Sequence, residues 1–172
     1  VYDALLASLQ QRVATGDPLE SDPLLDPVSG LPNRLLFLDR LTQAIAYAHR
    51  HDMLLAVCSV QIDLDEIAPC AGRITLEIVA RLRDTIRELD TIARLGFGEF
   101  GVVLNDLRSR DNAMVAVGKI DQSFEQPFDV GERSCLLRPR IGLCFYPAHG
   151  HDAAMLLAAA REAVGETAPL AI

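Results

Sequence analysis

The side chains able to do chemistry are thinly spread along this chain, and most lack the neighbours that chemistry needs. The four histidines fall in two pairs, His49/His51 and His149/His151, with no further ligand at metal-binding spacing, so they read as surface-loop residues. No serine sits in a G-x-S-x-G setting. Cys58, Cys70, Cys135 and Cys144 have no C-x-x-C spacing and lie in or beside apolar runs. They read as buried, reduced thiols rather than a disulfide framework or zinc site. Gly96-Phe97-Gly98 lacks the third glycine of a dinucleotide loop and is followed by a strand pattern, not a helix. What remains is charged: Asp63 closing an apolar run, Glu99 just after the paired glycines, and Arg87 three residues before Asp90. A strand-end aspartate can cap a turn, and a guanidinium fork can hold a phosphate bidentately.

Composition sets limits on where such groups can act. The chain has 172 residues, half of them hydrophobic and 23% charged, which predicts one folded domain and excludes a disordered one. A domain of this size buries roughly 70% of its unfolded surface without disulfide or metal staples. Sixteen Lys and Arg against 24 Asp and Glu give a net charge of −8. An acidic chain does not present the broad basic face that nucleic acid or anionic lipid needs, though a local arginine cluster can still take a small phosphate ligand. Aromatic residues are 5% with no Trp, which disfavours single-strand stacking. No apolar run approaches the ~18 residues of a membrane span and no signal peptide opens the chain, so no membrane insertion and a cytoplasmic location are expected.

The elements that must position these groups follow from periodicity. Residues 1–15 read as an amphipathic helix carrying Tyr2, Leu5, Leu6, Leu9 and Val13, belonging to an upstream element, and the proline-rich residues 16–25 read as a linker. The main domain is expected over 26–165, with 166–172 a tail toward a downstream domain. Pro32-Asn33 opens a helix to about His51, with Leu35, Leu36, Leu38, Leu41, Ile45 and Ala48 inward. Met53 to Leu64 suits a central strand. Residues 72–89 read as a helix with Ile74, Ile78, Leu82, Ile86 and Leu89 inward and a Glu77/Arg81 pair on the other face. Strands are expected at Thr91–Leu95 and Glu99–Leu104 around a Gly96-Phe97-Gly98 turn. A helix over Asn112–Phe124, strands at Phe128–Val130 and Cys135–Phe145, and a last helix at Asp152–Val164 complete the order. This is an α/β (α+β) class fold, a mixed central sheet covered by helices.

Four stretches, in this order and at matching spacing, resemble the GGDEF domains, the diguanylate cyclases of bacteria. Asp26-Pro-Val-Ser-Gly-Leu-Pro-Asn-Arg34 is similar to the DxLTGLPNR opening, Ile62-Asp-Leu-Asp65 to the first metal-binding strand end, and Arg94-Leu-Gly-Phe-Gly-Glu-Phe100 to RLGGDEF. Pro127-Phe128, Ile141-Gly142 and Tyr146-Pro147 follow the closing pattern seen where an EAL phosphodiesterase domain comes next. The resemblance covers about residues 22–165. It implies a ferredoxin-like, adenylyl-cyclase-like sheet, and two GTP molecules on facing domains condensing to cyclic di-GMP beside two metal ions.

The parts of that machinery are incompletely present. By the resemblance, Asp63 stands as a first metal carboxylate, while the signature Gly96, Phe97, Gly98, Glu99, Phe100 has a benzyl group where the second glycine belongs and no side chain at the acidic third position. Glu99 survives, so Asp63 and Glu99 are the vestigial metal ligands. Ile67-Ala-Pro-Cys-Ala-Gly-Arg73 replaces the longer guanine-reading connection, and an apolar link cannot read a guanine edge. Ala160-Arg161-Glu162-Ala163-Val164 stands where the family has Ala-Asp-x-Ala-Met, the following phosphate-binding Lys is missing, and Arg140 replaces a Ser.

Arg87-Glu88-Leu89-Asp90 matches the family's RxxD inhibitory motif, which implies a cyclic di-GMP site of Arg87 and Asp90, with Lys119 the nearest candidate to complete it. The expected function is a catalytically degenerate regulatory or dimerising module, needing no cofactor, with Mg²⁺ entering only alongside residual GTP. Its expected partners are cyclic di-GMP, an EAL domain in the same chain and a second copy. The alternatives are an active cyclase using Asp63 and Glu99, and a nucleotide-free scaffold.

Overall fold

The computed structural model describes residues 22–166. The helix expected over 1–15, most of the linker and the tail beyond 166 lie outside them. The described elements are α1 (Arg34–His51), β1 (Leu54–Gln61), a 3₁₀ turn (Asp65–Cys70), α2 (Ala71–Thr85), β2 (Thr91–Gly96), β3 (Glu99–Leu107), α3 (Arg110–Ser123), β4 (Phe128–Val130), β5 (Arg133–Cys135), β6 (Arg140–Tyr146) and α4 (Ala153–Glu166).

Four strands form the central sheet in the order β2-β3-β1-β6. The α/β architecture is as expected, but the sheet is not mixed: each of its three pairings is antiparallel. β1 is buried on both faces because its alternate side chains feed two cores. Ala56, Cys58 and Val60 pack under α2 and α3 with Ile74, Ile78, Leu82 and Ile120. Leu55 and Val57 pack under α1 and α4 with Phe37, Leu41, Leu156 and Ala160. A strand covered on both sides reads as a continuous apolar run rather than an alternation, which is what residues 54–60 show. At Gly142, α4 lies directly on the strand: a Cβ there would run into the backbone of Ala160 and Val164.

Helix starts and stops have local causes. Asn33 caps α1, its Oδ1 accepting from the Leu36 N–H at 3.0 Å. Phe37, absent from the expected stripe, is fully buried and continues through Leu41, Ile45 and Ala48, while Leu35, Leu36 and Leu38 are only half-buried. α2 ends at Thr85, not 89, because Ile86 turns extended. Leu89, expected inward, is therefore 68% exposed. The expected Glu77–Arg81 pair forms at 2.6 Å. Arg81 also donates to the carbonyls of Ser123, Gln126 and Pro127 and stacks on Phe128, closing the end of α3. The expected strand Cys135–Phe145 is two strands, because Pro139 just ahead of β6 has no N–H to give a ladder. β5 pairs with β4 in a separate hairpin.

Part of the expected linker is built into the domain. Leu24 is buried, its carbonyl accepts from the Asn33 N–H, and Leu25 bridges to Pro32. Asp26 joins this segment to β2 through Arg94 Nη1, 3.0 Å away, and also accepts from the Ser29 N–H and hydroxyl at 2.7 Å. Burial pushes the Asp26 carboxyl up, but the Ser29 hydrogen bonds and the Arg94 charge outweigh it, so the group sits below its usual range. A depressed carboxylate contributes stability above its unfolded pKa of about 3.9, and this is lost as pH falls through the lower folded value. Asp26→Asn should therefore cost about 3 kcal/mol at neutral pH, since Arg94 keeps a buried charge without its partner. Thermal melts followed by circular dichroism should show Tm falling by about 10 °C at pH 7, the gap narrowing as pH falls below the unfolded value of about 3.9.

Candidate functional site

The antiparallel register gathers charge at one edge of the sheet. Gln61, the last residue of β1, pairs with Glu99, the first of β3, and on its other side with Arg140, the first of β6. Asp63, two residues past the strand, therefore emerges beside the β2–β3 turn. Asp63, Asp65, Phe97, Glu99 and Arg140 line one shallow cleft of about 330 Å³. The expected hairpin turn is present: Gly96 pairs with Glu99, leaving Phe97 and Gly98 as its two central residues.

The acidic side chains at this edge have partners within the protein. Asp63 Oδ1 accepts from the Asp65 N–H at 3.1 Å, so the carboxylate caps the turn after β1. Glu99 Oε1 accepts from Arg161 Nε at 2.5 Å, a guanidinium brought in by α4. Gly98 has φ 64°, its carbonyl accepts from the Ile62 N–H at 2.8 Å, and a Cβ there would overlap the Ile62 carbonyl oxygen. The turn thus lies on the end of β1, where an acidic side chain has no room to start. Phe97 is 54% exposed at the tip and lines the clefts on both sides of the hairpin. Among the described residues no group of three or more His, Cys, Asp or Glu is placed to hold a metal.

A second cleft, about 410 Å³, lies beside the Arg87–Asp90 turn. These residues follow α2 rather than ending it, so no helix dipole explains them. Asp90 is the keystone of the turn: its side chain is 2% exposed, and its carboxylate accepts from the Arg87 and Asn105 N–H groups and from the Arg87 guanidinium. Arg87 also donates to the Asn105 carbonyl at 2.8 Å and remains half-exposed. Arg40 of α1 and Arg83 of α2 line the cleft with Arg87; Lys119, exposed on α3, does not. The tertiary placement of Arg40 and Arg83 left no local signal, but a cation at 161 in place of the family's Asp was a visible charge reversal.

The four cysteines divide by burial. Cys58 and Cys144 are buried, and burial pushes the Cys144 thiol up to about 11. Cys70 and Cys135, expected buried, are half-exposed, because they lie at the ends of the 3₁₀ turn and of the outlying β4–β5 hairpin.

Comparison with known proteins places this arrangement. Residues 24–168 match the family described as "Diguanylate cyclase, GGDEF domain". The chain belongs to the GGDEF domain family. The GGDEF chain is 34% identical over 133 residues to the bifunctional diguanylate cyclase/cyclic di-GMP phosphodiesterase MucR of Pseudomonas aeruginosa, covering 74% of this chain and 19% of MucR. It is 34% identical over 139 residues to the diguanylate cyclase TpbB of the same organism, covering 77% of this chain and 32% of TpbB. It thus spans a third or less of these relatives' length. The solved GGDEF domain of TpbB superposes with a TM-score of 0.78 at 32% identity, over 83% of this chain and 87% of that one.

The hairpin geometry makes a direct prediction. Gly98→Asp puts a side chain at positive φ and against the Ile62 carbonyl, and should cost about 2 kcal/mol. Urea denaturation should show a lower midpoint with an unchanged slope, and the variant should make no cyclic di-GMP from GTP.

Proposed function

We propose that this GGDEF domain is catalytically degenerate and serves as a regulatory or dimerising module in cyclic di-GMP signalling, beside an EAL phosphodiesterase domain. The observation that carries this reading is the Glu99–Arg161 pair: the surviving acid of the signature is spent on a protein cation. The missing acid at Gly98 and the turn-capping role of Asp63 support it. Condensing two GTP molecules needs metal charge at the attacking oxygen and at the triphosphate, and the two carboxylates that would hold it, Asp63 and Glu99, are engaged by an Asp65 N–H and by Arg161. The names of the relatives support the signalling context, and MucR, which combines both activities in one longer chain, supports the EAL association. Among the described residues no helix is long and apolar enough to cross a membrane.

The ligand of this module is cyclic di-GMP, held in the cleft beside the Arg87–Asp90 turn. Arg40, Arg83 and Arg87 converge there, and guanidinium forks suit phosphate and guanine acceptors. Asp90 acts by fixing Arg87 rather than by reading guanine, since its carboxylate is buried and fully engaged. The same burial of Asp90 favours the second reading, a scaffold that binds no nucleotide.

Two measurements test this. The purified domain with GTP and Mg²⁺ should yield no cyclic di-GMP, and clear product would overturn the degenerate reading. Calorimetry with cyclic di-GMP should show micromolar binding that weakens about tenfold in Arg83→Ala, each charged contact being worth about 1.5–3 kcal/mol. Arg87→Ala should lose binding altogether. Absence of heat with the unmodified domain leaves the scaffold reading.

A further inference from the structure

We propose that Arg161 is a built-in counter-cation that takes the place of a divalent ion at Glu99 and keeps metal away from this edge of the sheet. The proposal deepens the degenerate reading and rests on it.

The geometry is specific. Odd-numbered residues at the end of β1 and start of β3 face α1 and α4, as Val57 and Val103 do, so Glu99 projects toward α4. Arg161, near the end of α4, meets it with Nε 2.5 Å from Oε1. The two side chains are only 29% and 20% exposed, so solvent screens the pair weakly. A guanidinium is a permanent cation with a fixed fork of donors, suited to holding a carboxylate. A divalent ion bridging Glu99 and Asp63 must either displace this guanidinium or sit beside its charge.

The charge count points the same way. Asp63, Asp65 and Glu99 bring three negative charges to the cleft region, and Arg140 and Arg161 bring two positive ones. Removing Arg161 leaves an excess of two negative charges, with Glu99 unpaired. The edge then becomes a place where a hard, oxygen-seeking cation is drawn in.

Titration of the ¹⁵N-labelled domain with Mn²⁺, read as selective broadening of amide signals, tests this without any assay of catalysis. In the unmodified domain the signals of Asp63, Gly98 and Glu99 should broaden no more than the rest. In Arg161→Ala they should broaden selectively at about a tenth of the Mn²⁺ concentration, as expected when a partly buried carboxylate loses its partner. Arg161→Lys, which keeps the charge, should behave as the unmodified domain. Arg161→Ala combined with Glu99→Gln should lose the selectivity. The amide spectrum itself reports whether each variant is folded. Selective broadening in the unmodified domain equal to that of Arg161→Ala overturns the proposal, as does a folded Arg161→Ala with none. If the unmodified domain binds Mn²⁺ there yet makes no cyclic di-GMP, this inference fails while the degenerate reading stands. If it makes cyclic di-GMP, both fail.

Discussion

The antiparallel pairing of β1 between β3 and β6, with Gln61 level with both Glu99 and Arg140, is the constraint on which the rest of this domain depends. β1 sits between two neighbours and feeds both cores through its alternate residues, so its register is pinned from above and below. A slip of one residue would exchange the two cores' side chains. The charged edge is a by-product of that pinning. Asp63, Glu99 and Arg140 meet because apolar residues further along the same strands have nowhere else to go.

At that edge, the surviving acid of the signature meets a cation of the protein itself, Arg161. The fold that holds a cyclase centre is intact, and the hairpin has the right length. The positive charge beside Glu99 is the Arg161 guanidinium. A guanidinium delivered by a helix is permanent and single-valued, whereas a bound ion exchanges with solvent and carries its own coordination demands. The glycine at 98 lies against the Ile62 carbonyl, where a Cβ would overlap the oxygen.

Much of this was legible in the residues, and the reasons for the exceptions are physical. Pro32-Asn33 announced α1 through a cap, the run 54–60 announced a doubly covered strand, and Glu77 with Arg81 announced a helix face; each signal is local. The end of α2 was misplaced because apolar periodicity continued through Ile86 and Leu89, while the chain turned to let Asp90 satisfy two backbone N–H groups. A hydrogen-bonding demand from Asn105, fifteen residues away, outweighed the pattern. The antiparallel pairing of the whole sheet has no local signal, because strand order and direction within a sheet are long-range properties. The pairing of Arg161 with Glu99 joins residues 62 positions apart, and only the substitution pattern hinted at it.

The seating of α4 on β6 carries a mechanical consequence. With no side chain at Gly142 to act as a cushion, helix and strand meet backbone to backbone, and the helix has little freedom to slide or roll. A displacement of one residue's rise, about 1.5 Å, is enough to part a hydrogen-bonded ion pair. Force applied near Glu166 would therefore travel along a stiff rod and reach the β2–β3 turn through the Arg161 guanidinium, making α4 a tie-rod between its own C-terminal end and the hairpin edge of the sheet.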